Sequence, residues 1–238
     1  VQVFRCARKT GLVKPETELK FLGFGTMNGK DGKPFKTRDG GVMRLEYLVS
    51  EIDNEMLKKI NENQKSKENL GISEEEAKET AKTVALAAIK YGDLSNQASK
   101  DYIFDIDRFT SFEGNTGPYI LYTIVRIKSI LHKYHDLGKN AKDAVITAAH
   151  SESEKNLMLE LAKFNAVIES AFVDTAPHKI CSYIYDLANA FNSFYHETKI
   201  MSEEDEMVQK SYIRVLELTK SVLETSIDLL GFSAPERM

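Results

Sequence analysis

The chain has 238 residues, 42% hydrophobic and 29% charged, enough apolar side chain to bury a sizeable core in one large domain or two small ones. Its formal net charge of −4 argues against a non-specific nucleic-acid binder, but ten Lys/Arg face five Asp/Glu within residues 1–50, leaving +5 there and −9 in the remainder. No apolar run approaches the roughly 18 residues of a membrane span, and Cys6 and Cys181 stand far apart in no metal-like spacing, which excludes a disulfide framework and fits a reducing cytoplasm.

The chain opens at Val1 inside a helix-like phrase, with no charged-then-apolar leader, and reads as a piece of a longer protein. Residues 2–10 suit a short helix stopped by Gly11, and Lys14-Pro15 starts a turn. Leu19 to Met27 places phenylalanines and Leu22 between glycines, the pattern of a buried strand closely approached by another backbone. The loop from Asn28 to Gly41 carries four cations in a glycine-rich setting, suited to wrapping a polyphosphate or simply to a solvated turn. It is not a Walker A loop, because Gly25 and Gly29 are one residue too close and Asp31 stands where Ser or Thr should hold magnesium.

A helical pattern follows from Arg44 to about Glu62, with Leu45, Leu48, Ile52, Met56 and Ile60 on one side, and the polar run from Asn61 breaks it. Residues 61–72 are the expected hinge. Ser73-Glu74-Glu75-Glu76 reads as a capping box starting a second helix through Ala81, Val84 and Ala88 to Tyr91, closed by Gly92. Asp105 and Asp107 lack a nucleophile or base partner and suit capping or solvent.

A breaker cluster, Glu113-Gly114-Asn115-Thr116-Gly117-Pro118, runs into the helix around which the chain is organised, extending to about His135. Pro118 fits the first turn and Asn115 or Thr116 can cap it. Ile120, Ile124, Ile127 and Leu131 form a core stripe at about 100° per residue. Tyr119, Tyr122, Arg126 and Lys133 share another face, a combination that stacks unpaired bases and grips phosphate, and that equally fits a tyrosine-rich helix packed in a bundle. His132 and His135 lack a third ligand, so no metal site is expected. Three more helices follow: Ser153 to about Phe172; Pro177 to about Lys199, with Ile180, Ile184, Leu187, Phe191 and Phe194 inward; and a last one capped by Ser202 and ending at Gly231. Four amphipathic helices with short connections imply a bundle.

Residues 102–128, Tyr-Ile-Phe-Asp-Ile-Asp-Arg-Phe-Thr-Ser-Phe-Glu-Gly-Asn-Thr-Gly-Pro-Tyr-Ile-Leu-Tyr-Thr-Ile-Val-Arg-Ile-Lys, resemble the segment of arginyl-tRNA synthetases that leads into their helical anticodon-binding domain. The resemblance continues through Pro177-His178-Lys179-Ile180-Cys181-Ser182-Tyr183, Leu187 to His196 and the terminal Leu229-Leu230-Gly231-Phe232-Ser233-Ala234-Pro235-Glu236-Arg237-Met238. It implies a mainly α chain: a small α/β remnant of a class I catalytic domain over residues 1–62, a helical connection over 63–116, and a helical anticodon-binding bundle over 117–238.

By the same resemblance, Lys33-Pro34-Phe35-Lys36-Thr37 sits where the family has its divergent Lys-Met-Ser-Lys-Ser loop, so Lys33, Lys36 and Thr37 inherit a role in holding ATP phosphates. Tyr119, Tyr122, Arg126 and Tyr195 match residues that line the surface meeting the anticodon loop; Met238, where the family's chains end, is not counted among them. Every arginine codon has a central G, so the central C of the anticodon is the base such a surface must read. The implied function is recognition of arginine tRNA within a cytoplasmic, monomeric enzyme that joins arginine to tRNA using ATP and magnesium, with no DNA or membrane partner. The chain holds no His-Ile-Gly-His signature, so by itself it is expected to bind no ATP and to be inactive. The alternative is an acidic α-helical module offering the Tyr119/Tyr122 face to a protein.

Overall fold

The computed structural model describes residues 1–33, 45–66 and 73–238. Helix α1 (Gln2–Lys9) passes through Thr10 into Gly11 at φ +70°, the left-handed turn expected there. The stretch from Leu19 to Met27 departs from expectation. Strand β1 is only Met27–Asn28, pairing in parallel with β2 (Tyr102–Ile103), and Phe24 upstream is 89% exposed. A strand exists only where a neighbour takes its N–H and C=O groups, and the two-residue sheet reaches no further. The close approach expected at the glycines is real at Gly25. Its N–H donates to the Ala98 carbonyl at 2.8 Å, and a Cβ there would sit 2.3 Å from the Lys100 carbonyl carbon.

Helix α2 (Leu45–Ser66) buries Leu48, Ile52, Met56 and Ile60 against α3 (Glu74–Leu94), whose Ala77, Ala81, Ala85 and Ala88 let the two helices lie close. It continues past Asn61 to Ser66, because the polar run contains no Pro or Gly and such residues cost a helix only tenths of a kcal/mol, of the order of 0.5 each. The rest of the expected hinge, 67–72, lies outside the described residues. The Ser73 hydroxyl accepts the Glu76 N–H at 3.1 Å, as the capping box implies. Gly92 does not close α3. It lies inside the helix, where a Cβ would stand 2.4 Å from the ring of Phe109, so the glycine is there for close packing.

Asp105 caps the short α4 (Ile106–Phe109) by accepting from the Asp107 N–H at 3.1 Å, and Phe109 meets Phe104 edge to face. The central helix, α5 (Gly117–Asp136), is capped by Thr116, whose hydroxyl accepts the Tyr119 N–H. Gly117 admits the Ala87 carbonyl, which a Cβ would meet at 2.4 Å. Ile120, Ile124, Ile127 and Leu131 are all buried, so the predicted stripe is the core face.

Where one helix was expected from Ser153 to Phe172 there are two, α6 (Glu152–Ala162) and α7 (Phe164–Asp174), parted at Lys163. The chain turns there so that α6 packs on both α8 (His178–Glu197) and α9 (Glu206–Leu229) while α7 follows α8. No Pro or Gly marks the break. The inward residues of α8 are those the sequence implies: Ile180, Ile184, Leu187, Phe191 and Phe194. Ser202 ends a 3-10 turn and does not cap α9. Asp205 does, because its carboxylate reaches the N–H groups of Met207 and Val208 at 2.8 and 3.2 Å. At the other end Gly231, at φ +81°, donates to Asp228 and Phe232 donates to Ile227, the paired bonds of a Schellman turn. The chain is thus mainly helical, with α5, α6, α8 and α9 bundled and α3 laid against α5.

Candidate nucleic-acid interface

Helices α5 and α8 bring distant parts of the sequence into one cluster. Tyr122 and Arg126 stand one turn apart on α5, and Tyr195 projects from the end of α8. The Arg126 Cζ lies 4.8 Å from the centre of the Tyr122 ring and 5.2 Å from that of Tyr195. A guanidinium held by aromatic rings keeps its charge and its remaining N–H donors at low cost in side-chain entropy. Asn192 fixes its direction, accepting from Arg126 Nη1 at 2.6 Å.

The same Asn192 donates from Nδ2 to the Tyr119 hydroxyl at 2.9 Å and to Thr123 Oγ1 at 3.4 Å, while Tyr119 donates to Asn189 Oδ1 at 2.7 Å. Tyr119 therefore differs from Tyr122. Its ring tilts against Tyr185 at 5.7 Å, its phenol is pushed up by burial, and it stands behind the cluster as a support. Tyr195 is exposed, at 37%, with its ring stacked at 6.0 Å on Phe191.

In front of Tyr122, Arg126 and Tyr195 an open cleft of about 680 Å³ is lined also by His132, Lys133 and Met238. Ring faces, directed N–H donors and rim cations are the equipment for stacking an unpaired base and contacting its phosphates. His132 and His135 differ in place: His132 lines the cleft, and no metal-binding cluster of His, Cys, Asp or Glu occurs among the described residues. Asn189 and Asn192 were missed in the sequence, although their i, i+3 spacing, continued to Tyr195, puts them on one face of α8.

The phosphate loop is only partly described. Gly29 donates to the Lys33 carbonyl at 3.0 Å and the Lys33 N–H bonds Asp31 at 3.1 Å, which closes a tight turn through Gly32. Lys36 and Thr37 lie outside the described residues. Lys30 is held by Asp105 at 3.1 Å and Asp107 at 2.9 Å beside a cavity of about 630 Å³ lined by Asn54, Lys58 and Phe104.

A family model for the DALR anticodon binding domain matches residues 120–238, half of the chain, and thus the whole of the cluster but Tyr119. The chain belongs to the DALR anticodon-binding domain family. Ahead of its DALR domain, a model for the class I (R) tRNA synthetase catalytic domain matches residues 1–106. Over its full length the chain is 74% identical to arginine–tRNA ligase of Agathobacter rectalis and 56% identical to that of Alkaliphilus oremlandii. It spans about 40% of the length of these curated relatives. Among solved structures, Plasmodium falciparum arginyl-tRNA synthetase superposes on all of the chain and 38% of its own length with a TM-score of 0.73 at 26% identity. Thermus thermophilus arginyl-tRNA synthetase shares the fold over 91% of the chain and 35% of its own, with a TM-score of 0.75 at 24% identity. No described helix is long and apolar enough to cross a membrane.

Proposed function

We propose that this chain reads the anticodon of arginine tRNA as part of an arginine–tRNA ligase. The observation that carries the reading is the Arg126 guanidinium set between Tyr122 and Tyr195 at the mouth of a cation-rimmed cleft within the DALR match. Tyr122 and Tyr195 offer ring faces to the splayed central C, Arg126 supplies donors to its edge or phosphate, and Tyr119 contributes through the Asn189 and Asn192 bonds behind them. The division runs from a catalytic-domain remnant in 1–62 through a helical connection in 63–116 to the anticodon-binding domain in 117–238.

In the whole enzyme, a cytoplasmic monomer, Lys33, Lys36 and Thr37 hold ATP phosphates while arginine is activated with magnesium and passed to the tRNA. The chain alone has no His-Ile-Gly-His signature and does not catalyse that reaction. The test is binding of the chain to arginine tRNA and to the same tRNA with its central anticodon base changed, at two salt concentrations. The expected preference for the natural anticodon is about tenfold or more, the size of one charge-assisted hydrogen bond at the base edge. Affinity should fall steeply with salt. Equal binding to both tRNAs would refute base reading; no binding to either would favour an interaction with protein.

A further inference from the structure

Lys128 is a buried lysine on α5, 7% exposed, at a position that does not line the cleft. An ammonium is stable in such a place only with partners. Two of the three come from the last residues of the chain. Its Nζ lies 2.6 Å from the Glu236 carboxylate and 3.4 Å from the Pro235 carbonyl, and 3.2 Å from Glu224 of α9. Glu236 is itself held ionised by this bond, its carboxyl lying below the ordinary range.

The tail has two further fastenings, both on α3. Lys90 donates to the Gly231 carbonyl, and Arg237 pairs with Glu76 at 3.1 Å. Phe232 is buried between these points. Glu236 and the two residues after it, Arg237 and Met238, line the cleft beside Tyr122, Arg126 and Tyr195. A segment with few contacts frays; this one is tied by the Lys128–Glu236 ion pair at the edge of the cleft itself.

We propose that Lys128 is a positioning residue for RNA binding, holding the C-terminal tail so that Arg237 and Met238 form a preformed wall of the base-reading cleft. This rests on the RNA reading of that cleft. Without the clamp the only ion pair left to the segment past Phe232 among the described residues is Arg237–Glu76, which is exposed and holds it weakly. One or two residues must then be ordered at each binding event, which weakens binding about tenfold. Stability behaves differently. Removing one partner of a buried pair is costly where the other charge stays buried, but the glutamates freed here, Glu224 and Glu236, are 36% and 72% exposed and can be hydrated.

The experiment measures the affinity of the 238-residue chain for an anticodon stem-loop of arginine tRNA, in the wild type, K128M, K128R, a chain lacking residues 236–238, and K128M combined with that deletion. Thermal melting and hydrogen exchange of residues 233–238 are followed in parallel. K128M is expected to keep its melting temperature, to exchange faster through the tail and to bind about tenfold more weakly. The deletion should weaken binding similarly, the combination no more than the deletion alone, and K128R should recover affinity. Wild-type affinity and tail exchange in K128M would overturn the proposal, as would wild-type affinity after the deletion. Should the wild type itself bind no stem-loop, the RNA reading fails and the wall has no RNA to meet. That failure is distinct from loss of the clamp alone, in which wild-type binding stands.

Discussion

Tyr122 and Arg126, one turn apart on α5, meet face to cation with the guanidinium carbon 4.8 Å from the ring centre. Neither is needed by the core stripe on the same helix, so both can be changed without touching it. Tyr122→Ala removes a ring face for a base and is expected to weaken binding of arginine tRNA by about 1–3 kcal/mol, with stability moved by no more than about 0.5 kcal/mol. Arg126→Lys retains the charge but loses the planar donors and the stacking fit. Fluorescence titration with tRNA separates the two explanations. If Arg126→Lys binds as wild type, charge alone accounts for that side chain.

Asn192 joins two helices through side chains, touching Arg126, Tyr119 and Thr123. Asn192→Leu keeps the volume and removes the bonds. Each hydrogen bond lost is worth about 1 kcal/mol, so melting should shift downward and RNA affinity should fall with Arg126 unfixed. Unchanged affinity alongside a lowered melting temperature would mean that Arg126 finds its place through the rings alone.

Much of this arrangement was legible in the sequence, and the unreadable parts share a cause. Ile120, Ile124, Ile127 and Leu131 announce a buried face through spacing alone, and Ser73, Thr116 and Gly231 mark helix ends through bonds made within a turn. Local chemistry writes local signals. Leu19 to Met27 failed as a strand because pairing depends on a neighbour that no local pattern records, and Ser153 to Phe172 failed as one helix because the bend follows the surfaces of α8 and α9. The site divides the same way. Tyr122 and Arg126 are visible as neighbours on one helix, whereas the support of Asn192 and the approach of Arg237 and Met238 come from other elements.

Gly92 offers a test of that distinction. As a helix terminator it would tolerate poorly any residue with a Cβ for backbone reasons, but it sits inside α3 with Phe109 against it. In an open helix Gly→Ala stabilises by about 1 kcal/mol. Here overpacking against a ring should cost about 1–3 kcal/mol. Pairing Gly92→Ala with Phe109→Leu in a double-mutant cycle should recover part of the loss. Strictly additive effects would place the cost elsewhere.

Ile124 is fully buried in the middle of the bundle. Ile124→Asp puts an unpaired carboxylate among apolar side chains and should lower stability by several kcal/mol, roughly 3–5, or prevent folding. Ile124→Val, losing one methylene group, should cost only about 0.5–1.5 kcal/mol. Urea melts of the two variants check the ordering; an Asp variant as stable as the Val variant would move the core away from this face.

The two cysteines give a chemical reading of the same core. Cys6 is exposed on α1, while Cys181 is buried on α8, where burial pushes its thiol up to about 12. Thiolate is the reactive form, so a disulfide reagent at neutral pH should modify Cys6 quickly and Cys181 only on unfolding. The same burial has a sign in the pH dependence. A group that stays protonated in the fold but ionises in the unfolded chain stabilises below the ordinary thiol range, and that stability is lost as pH rises from there toward about 12. The phenols of Tyr91 and Tyr183, both pushed up by burial, add to the loss in alkali. Urea melts between neutral pH and pH 10 should show stability falling, and Cys181→Ala should flatten the thiol part of the slope. A slope unchanged by Cys181→Ala would assign the alkaline loss to the tyrosines.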